Sequence, residues 1–275
     1  MVFSWLIGGL LFMVGAAVGS FLNVLVSRSL EGKNWLTGRS QCDHCDKQLA
    51  WYENIPLLSF VLLHGRCAHC QRPIDLSHFL AEILTGSLFL WWYAAIVFIF
   101  QLVTNPLAYL QPLFWLVVGL LAVVIFISDW RYQLIPRWTI VALTALSLAY
   151  RLLLVSVGAM QSADFWQGLL ATLLLVGFFF GLWKLTKERG FGDGDVQLAV
   201  PLGLLLGTWQ RITVAVMLAF FLGAAVGLVL ILFKRKKFGQ TIAFGPFLLL
   251  GALLSLVWGY EIWDWYVRIL SGTAL

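Results

Sequence analysis

Charge is scarce in this chain. Of 275 residues, 11% are charged and 61% hydrophobic, and the mean hydropathy is +0.91. That balance excludes a water-soluble globular domain of this length, which would have no water-compatible surface to present. Histidine is also rare, and His44, His64, His69 and His78 all fall within one 35-residue stretch. The long apolar body therefore carries no HExxH, and no Ser/His/Asp triad is signalled. Walker loops and GxGxxG are missing too. Short alternating segments are lacking, which argues against a porin-like barrel.

What is present is a series of continuous apolar runs of helix length. They predict an all-α polytopic membrane protein with about eight spans, at roughly 4–26, 78–101, 110–129, 137–157, 164–184, 196–209, 211–233 and 242–262. The sixth is short and carries Pro201, Gly203 and Gly207, so a tilted, broken or protein-buried helix is expected there. The first run lacks a basic residue before it and has Arg28, Lys33 and Arg39 after it. It reads as an uncleaved span with the N-terminus outside rather than a secretory signal. With that threading, fifteen of the 18 Lys and Arg residues fall on the cytoplasmic side, and only Arg151, Arg211 and Arg268 lie opposite. The net charge of +5 then reports topology. The KRKK run at 234–237 reads as a stop-transfer flank, and no nucleic-acid partner is expected.

The expected organisation is a first transmembrane helix at 1–26, a cytoplasmic segment at 27–77 and a transmembrane catalytic bundle at 78–275. All four cysteines lie in the polar segment, as Cys42-x2-Cys45 and Cys67-x2-Cys70 with 21 residues between the pairs. This spacing matches a tetrahedral zinc site. Reduced thiols are the rule in the cytoplasm, which disfavours two disulfides. Four sulfurs close the coordination shell, so the zinc is read as structural, and it would supply much of the folding free energy of so small a segment. His44 and His69 lie inside the knuckles and are read as exposed loop residues rather than ligands.

Two aspartates stand at the mouths of apolar runs. Asp129 closes Phe114–Ser128, and Asp195 opens Val196–Trp209 after the glycine-rich stretch Gly190–Asp195. An ionisable group at membrane depth costs on the order of several kcal/mol unless solvated, paired or protonated. Each has an ordinary explanation: Asp129 as an interfacial partner of Arg131 or Arg137, Asp195 as a helix cap meeting the dipole. The topology places both at the cytoplasmic face, where they can converge. Two close carboxylates share a proton, so one can activate water while the other protonates or polarises a carbonyl. Asp193 alternates with Asp195 between Gly192 and Gly194, and the residues alone leave the choice between the two open. Glu82 near the start of the second span reads as an interfacial acid or a supporting group.

At this point the chain resembles the type IV prepilin peptidases, a family of GxGD membrane aspartic peptidases. The resemblance rests on GSFLNVLVSR (19–28), CDHC (42–45), ENIPLLSF (53–60), HGRCAHC (64–70), AEILTG (81–86), SDWRYQLIP (128–136), GFGDGDVQL (190–198) and IAFGPFLLLGA (242–252), in that order. It implies that Asp129 and Asp195 are the catalytic pair, that Gly192 and Gly194 are the supporting glycines, and that Asp193 is the variable residue of GxGD. Many members carry Lys two residues after the second aspartate, where this chain has Gln197. The resemblance further implies cleavage of the basic leader from prepilins or pseudopilins in the bacterial inner membrane. Many members also methylate the new N-terminus with S-adenosylmethionine; no separate methyl-donor signature is visible here. The rival readings are a proton-coupled transporter using the two aspartates as a relay, and a non-enzymatic assembly factor docking through its zinc knuckles.

Overall fold

Backbone N–H and C=O groups find no water inside a bilayer, so each apolar run must satisfy its own by coiling into a helix. The computed structural model describes residues 2–30, 32, 34, 38–98, 110–186, 192–234 and 242–272, and its long elements are all helical. They are α1 (Val2–Leu30), a 3-10 turn (Trp51–Asn54), α2 (Leu58–Leu62), α3 (Leu76–Phe98), α4 (Leu110–Tyr132), α5 (Arg137–Ser156), α6 (Ser162–Leu185), α7 (Asp193–Leu206), α8 (Trp209–Leu232) and α9 (Gly245–Leu270). Seven of these are long and apolar enough to cross a membrane. The eighth expected span is α7, whose 14 residues fall short of that length. Lys33, Lys187, Arg189, Gly190 and the Arg235–Lys237 part of the basic run lie outside the described residues.

The described chain divides into two units, Met1–Arg131 and Tyr132–Leu275. In the first, α1 and α3 run antiparallel and pack through small residues. A Cβ added to Gly15 would stand 2.6 Å from the Thr85 carbonyl oxygen, and one on Gly19 would stand 2.5 Å from that of Ala81. Lipid chains are as apolar as leucine side chains, so helix pairs in membranes gain from such close backbone approach. Gly19→Val is therefore expected to destabilise this pair by about 1–3 kcal/mol. Gly9→Val, where nothing lies within 4 Å, should be near neutral. Thermal unfolding in detergent compares the two; equal melting temperatures would show that the close approach carries no energy. Leu88 packs where a Gly119 side chain would sit, and the Trp92 indole N–H donates to the Pro112 carbonyl at 3.0 Å. Trp92 thus pins α3 to the start of α4.

In the second unit, α7 is the helix the others surround. Leu198, Ala199, Pro201, Leu202, Leu204 and Leu206 are all buried. On one side α6 runs antiparallel to it, with Thr172 2.7 Å from where a Gly203 Cβ would be. On another, α5 runs parallel: Ile135, just before α5, meets Gly194 at the N-terminal end, and Arg151 donates to the Leu204 carbonyl at the C-terminal end. Pro201 lacks an N–H to donate back along the helix, but α7 continues through it to Leu206. The helix stops at Gly207, whose φ of +73° puts it in the left-handed region that glycine adopts freely. α8 and α9 run antiparallel, with Gly251 against Ala215 and Ala219, and Gly259 against Arg211. α9 extends to Leu270, past the expected end near 262, with non-helical backbone at Trp258. Beyond that kink, Trp263 packs edge-on against Trp209 at 4.6 Å between ring centres.

Candidate active site and metal centre

The two cysteine pairs fold into near-copies of one turn. The Cys42 N–H donates to the Lys47 carbonyl at 3.0 Å, and the Asp46 N–H donates back to Cys42 at 3.0 Å. Twenty-five positions on, the Cys67 N–H donates to Arg72 at 2.9 Å, and the Gln71 N–H to Cys67 at 3.0 Å. Both turns close through a left-handed residue, Asp46 at φ 53° and Gln71 at φ 58°, and both carry one antiparallel bridge, Gln41–Gln48 and Arg66–Pro73. The spacing C-x2-C suits this turn because it aims both sulfurs to one side.

The four Sγ atoms lie within 4.8 Å of one another, with Cys42 and Cys70 3.9 Å apart. A tetrahedron with Zn–S bonds of about 2.3 Å needs sulfurs about 3.8 Å apart, so the donor set fits a closed four-sulfur shell. A disulfide would need about 2.05 Å. The Cys67 thiol is pulled down to about 7 by the backbone N–H groups of Cys70 and His69, and burial pushes Cys42 up to about 11. Metal binding would take the thiolate form of each and release the protons. His69 is turned elsewhere: its Nδ1 lies 3.1 Å from Lys47 Nζ and its Nε2 3.6 Å from Glu53 Oε1. His44 is exposed. Neither belongs to the sulfur cluster.

Glu53 braces this segment internally, and Glu82, Asp43 and Asp75 tie it to the long helices. Glu53 Oε2 accepts the Ala50 N–H at 2.7 Å, closing the turn before it. Glu82 Oε2 accepts the Leu57 N–H at 2.7 Å. Leu57 has φ +62°, a conformation that costs a non-glycine residue on the order of 1–3 kcal/mol. The carboxylate of α3 thus holds the kink that starts α2. Asp43, between two of the cysteines, accepts from Arg131 Nη2 at 2.6 Å, and His78 Nε2 lies 3.8 Å away. The His78 ring and the Arg131 guanidinium hold the Asp43 carboxyl well below the usual carboxylate range. Arg131 also approaches Asp75 at 4.0 Å. Burial works against the Asp75 charge, but the Ser77 backbone N–H, donating at 2.7 Å, and the nearby Arg131 bring its carboxyl below the ordinary value. The role of Glu82 had one visible signal, as the single acid within α3. Its partner 25 residues earlier had none.

Arg131 is two residues beyond Asp129 at the end of α4, in the first unit. Asp129 is 7% exposed, next to Ser128 and Ile127, which are buried outright. Asp195 is in the second unit, in the first turn of α7, and is also 7% exposed. Its Oδ2 accepts the N–H of Gly192 at 3.3 Å, so it does cap the helix as one reading of the sequence expected. Asp193 is exposed and accepts the Gln197 amide at 3.3 Å. The two neighbouring aspartates therefore have opposite surroundings. Neither Gly192 nor Gly194 has positive φ. Gly194 is small for another reason: a Cβ there would stand 3.3 Å from Ile135 Cδ1.

Comparisons with known proteins reach both units of the chain. Residues 13–96 match the bacterial peptidase A24 N-terminal domain, and residues 115–228 match the type IV leader peptidase family. A prepilin leader peptidase/N-methyltransferase of Aeromonas hydrophila is 32% identical, over 96% of this chain and 94% of that one. The chain belongs to the type IV leader peptidase family. Two further prepilin leader peptidase/N-methyltransferases agree. One from Legionella pneumophila is 29% identical over 96% of this chain and 95% of its own. Another from Burkholderia pseudomallei (strain 1026b) is 32% identical over 90% and 84%. No solved structure matches. As a leader peptidase, the chain is a multi-pass membrane enzyme whose first family segment contains the four-cysteine cluster and whose second contains both Asp129 and Asp195.

Proposed function

We propose that this protein is an aspartic endopeptidase that removes the leader peptide of type IV prepilins or pseudopilins at the cytoplasmic face of the bacterial inner membrane. Asp129 and Asp195 are its catalytic carboxylates. The observation that carries this reading is that each is buried at the end of a long or protein-enclosed apolar helix in a leader peptidase chain, while Asp193 is exposed. In the working site, one carboxylate takes a proton from water as that water attacks the scissile carbonyl. The other, protonated, donates to the carbonyl oxygen; as the C–N bond then breaks, the first gives the proton it took from water to the leaving amine, and the gem-diol hydroxyl returns a proton to the second.

The N-terminus lies outside, and the cysteine segment, Asp129 and Asp195 lie at the cytoplasmic side. Zinc occupies Cys42, Cys45, Cys67 and Cys70 as a structural ion. The names of the relatives support a second activity, methylation of the newly exposed N-terminus with S-adenosylmethionine.

One incubation tests both activities. Purified protein in lipid is mixed with a prepilin, with and without S-adenosylmethionine, and the N-terminal mass of the product is read. Leader loss in both samples and a methyl mass increment only with the donor are expected. An intact prepilin in both samples overturns the peptidase reading.

A further inference from the structure

A cavity of about 390 Å³ lies within the first unit, between the cysteine segment and the N-terminal end of α3. Its volume is in the range of small-molecule sites. A zinc ion does not account for it, because only Cys42 and Cys67 of the four sulfurs reach its wall. Asp43, Glu53, Asp75 and Glu82 line it against two guanidinium groups, those of Arg72 and Arg131. Arg131 is already engaged by Asp43. Glu53 and Glu82 are 9% and 8% exposed, and among the described residues neither pairs with a Lys or Arg, although Glu53 accepts the Ala50 N–H and lies 3.6 Å from His69 Nε2. Glu82 uses one oxygen on the Leu57 N–H and has no further hydrogen bond among the described residues. Buried carboxylates with spare acceptor capacity are costly unless a cation or donor meets them. Part of the wall is Phe60 and Phe79, stacked with ring centres 4.8 Å apart and planes 26° from parallel. Such a wall offers a flat face to a planar heteroaromatic ring.

We propose that this cavity is the methyl-donor site: the purine of S-adenosylmethionine lies against Phe60 and Phe79, and Glu53 and Glu82 face its cationic sulfonium half. The inference rests on the methylation part of the proposed function and adds where the donor binds and what selects it. In the transfer, the lone pair of the acceptor amine forms the N–CH3 bond. The S–CH3 bond breaks with its electrons staying on sulfur, and the surplus amine proton passes to water. The donor thereby loses its sulfonium charge, so a carboxylate-lined site holds the donor and favours release of the neutral thioether product.

The test uses the full chain, zinc included, in lipid nanodiscs. Equilibrium dialysis compares S-adenosylmethionine with S-adenosylhomocysteine for the wild type, Glu53→Gln and Glu82→Gln. The wild type should prefer the sulfonium. Each variant should bind it about tenfold more weakly, by loss of about 1.4 kcal/mol, and the preference over the thioether should shrink. Zinc content and melting temperature report whether a variant is folded. As a measurement independent of variants, ultraviolet cross-linking of labelled S-adenosylmethionine to the wild type should label peptides within 41–82. Unchanged affinity in both folded variants, no sulfonium preference in the wild type, or labelling confined to other peptides would each overturn the proposal. A wild type that cleaves prepilin but binds no donor also removes it and leaves the peptidase standing. One that binds the donor at this cavity but leaves prepilin intact removes the peptidase instead.

Discussion

Asp195→Asn is expected to lower prepilin cleavage by at least about 10³-fold, and Asp129→Asn by a similar factor, with helix content and membrane insertion unchanged. Amide and carboxylate have the same shape, and the side-chain oxygen left by Asp195→Asn can still accept the Gly192 N–H, so the cap on α7 survives the change. What is lost is the proton chemistry, since an amide neither takes a proton from water nor gives one to a carbonyl. The double variant should be no worse than either single one, because two groups that act as a unit are not additive. Asp193→Asn is the control. Its carboxylate is exposed and, among the described residues, accepts from the Gln197 side chain one turn on, so cleavage should stay within a few-fold of wild type. The measurement is initial rate of leader release at fixed enzyme. Rates near wild type for both Asp129→Asn and Asp195→Asn would remove the carboxylate mechanism, and a large loss for Asp193→Asn alone would move the site by two residues.

Cys67→Ser, or prolonged treatment with a strong chelator, is expected to unfold the segment from about Gln41 to Asp75. Cys67 is the buried member of the four, and its sulfur also receives the His69 N–H at 3.5 Å. Apart from the sulfur cluster, this stretch has two isolated bridges, a short 3-10 turn and the five-residue α2, with single ties to the helices such as Asp43–Arg131 and Leu57–Glu82. Structural zinc contributes on the order of 10 kcal/mol to folding in comparable small sites, more than such a stretch can replace. Bound zinc should fall from about one per chain to none, and trypsin should cut at the exposed Lys47, Arg66 and Arg72 faster than in the wild type, because an unfolded segment fits a protease cleft and a folded turn does not. The long helices should still insert, since they do not depend on the sulfurs. A zinc-free wild type with four freely titrating thiols, or a Cys67→Ser protein as protease-resistant as the parent, would show that no metal holds the segment.

The spans were readable because each is a continuous apolar run, and a helix is the only form such a run can take in lipid without a closed barrel. The end of α9 was not, since the polar Glu261 and Asp264 look like a terminus while aromatic packing onto Trp209 carries the helix on to Leu270. The cysteine cluster was readable because two-residue spacing within each pair forces sulfurs together locally, and one long-range pairing then suffices. The contacts that anchor the cluster were not: Asp43 to Arg131 spans 88 positions, and Glu82 to Leu57 spans 25, with nothing periodic to announce either. Between Asp193 and Asp195 the difference is burial. It depends on how α7 sits among its neighbours and not on composition, so the residues alone could not rank them, and the family resemblance had to.

The brevity of α7 bears on how it fits a bilayer. Fourteen helical residues extend about 21 Å, against a hydrocarbon thickness of about 30 Å. Because α5, α6, α8 and α9 pack around it, the shortfall is met by protein and not by a thinned bilayer. Its ends can therefore stop short of the headgroups without showing backbone to lipid, and the first of those ends carries Asp195.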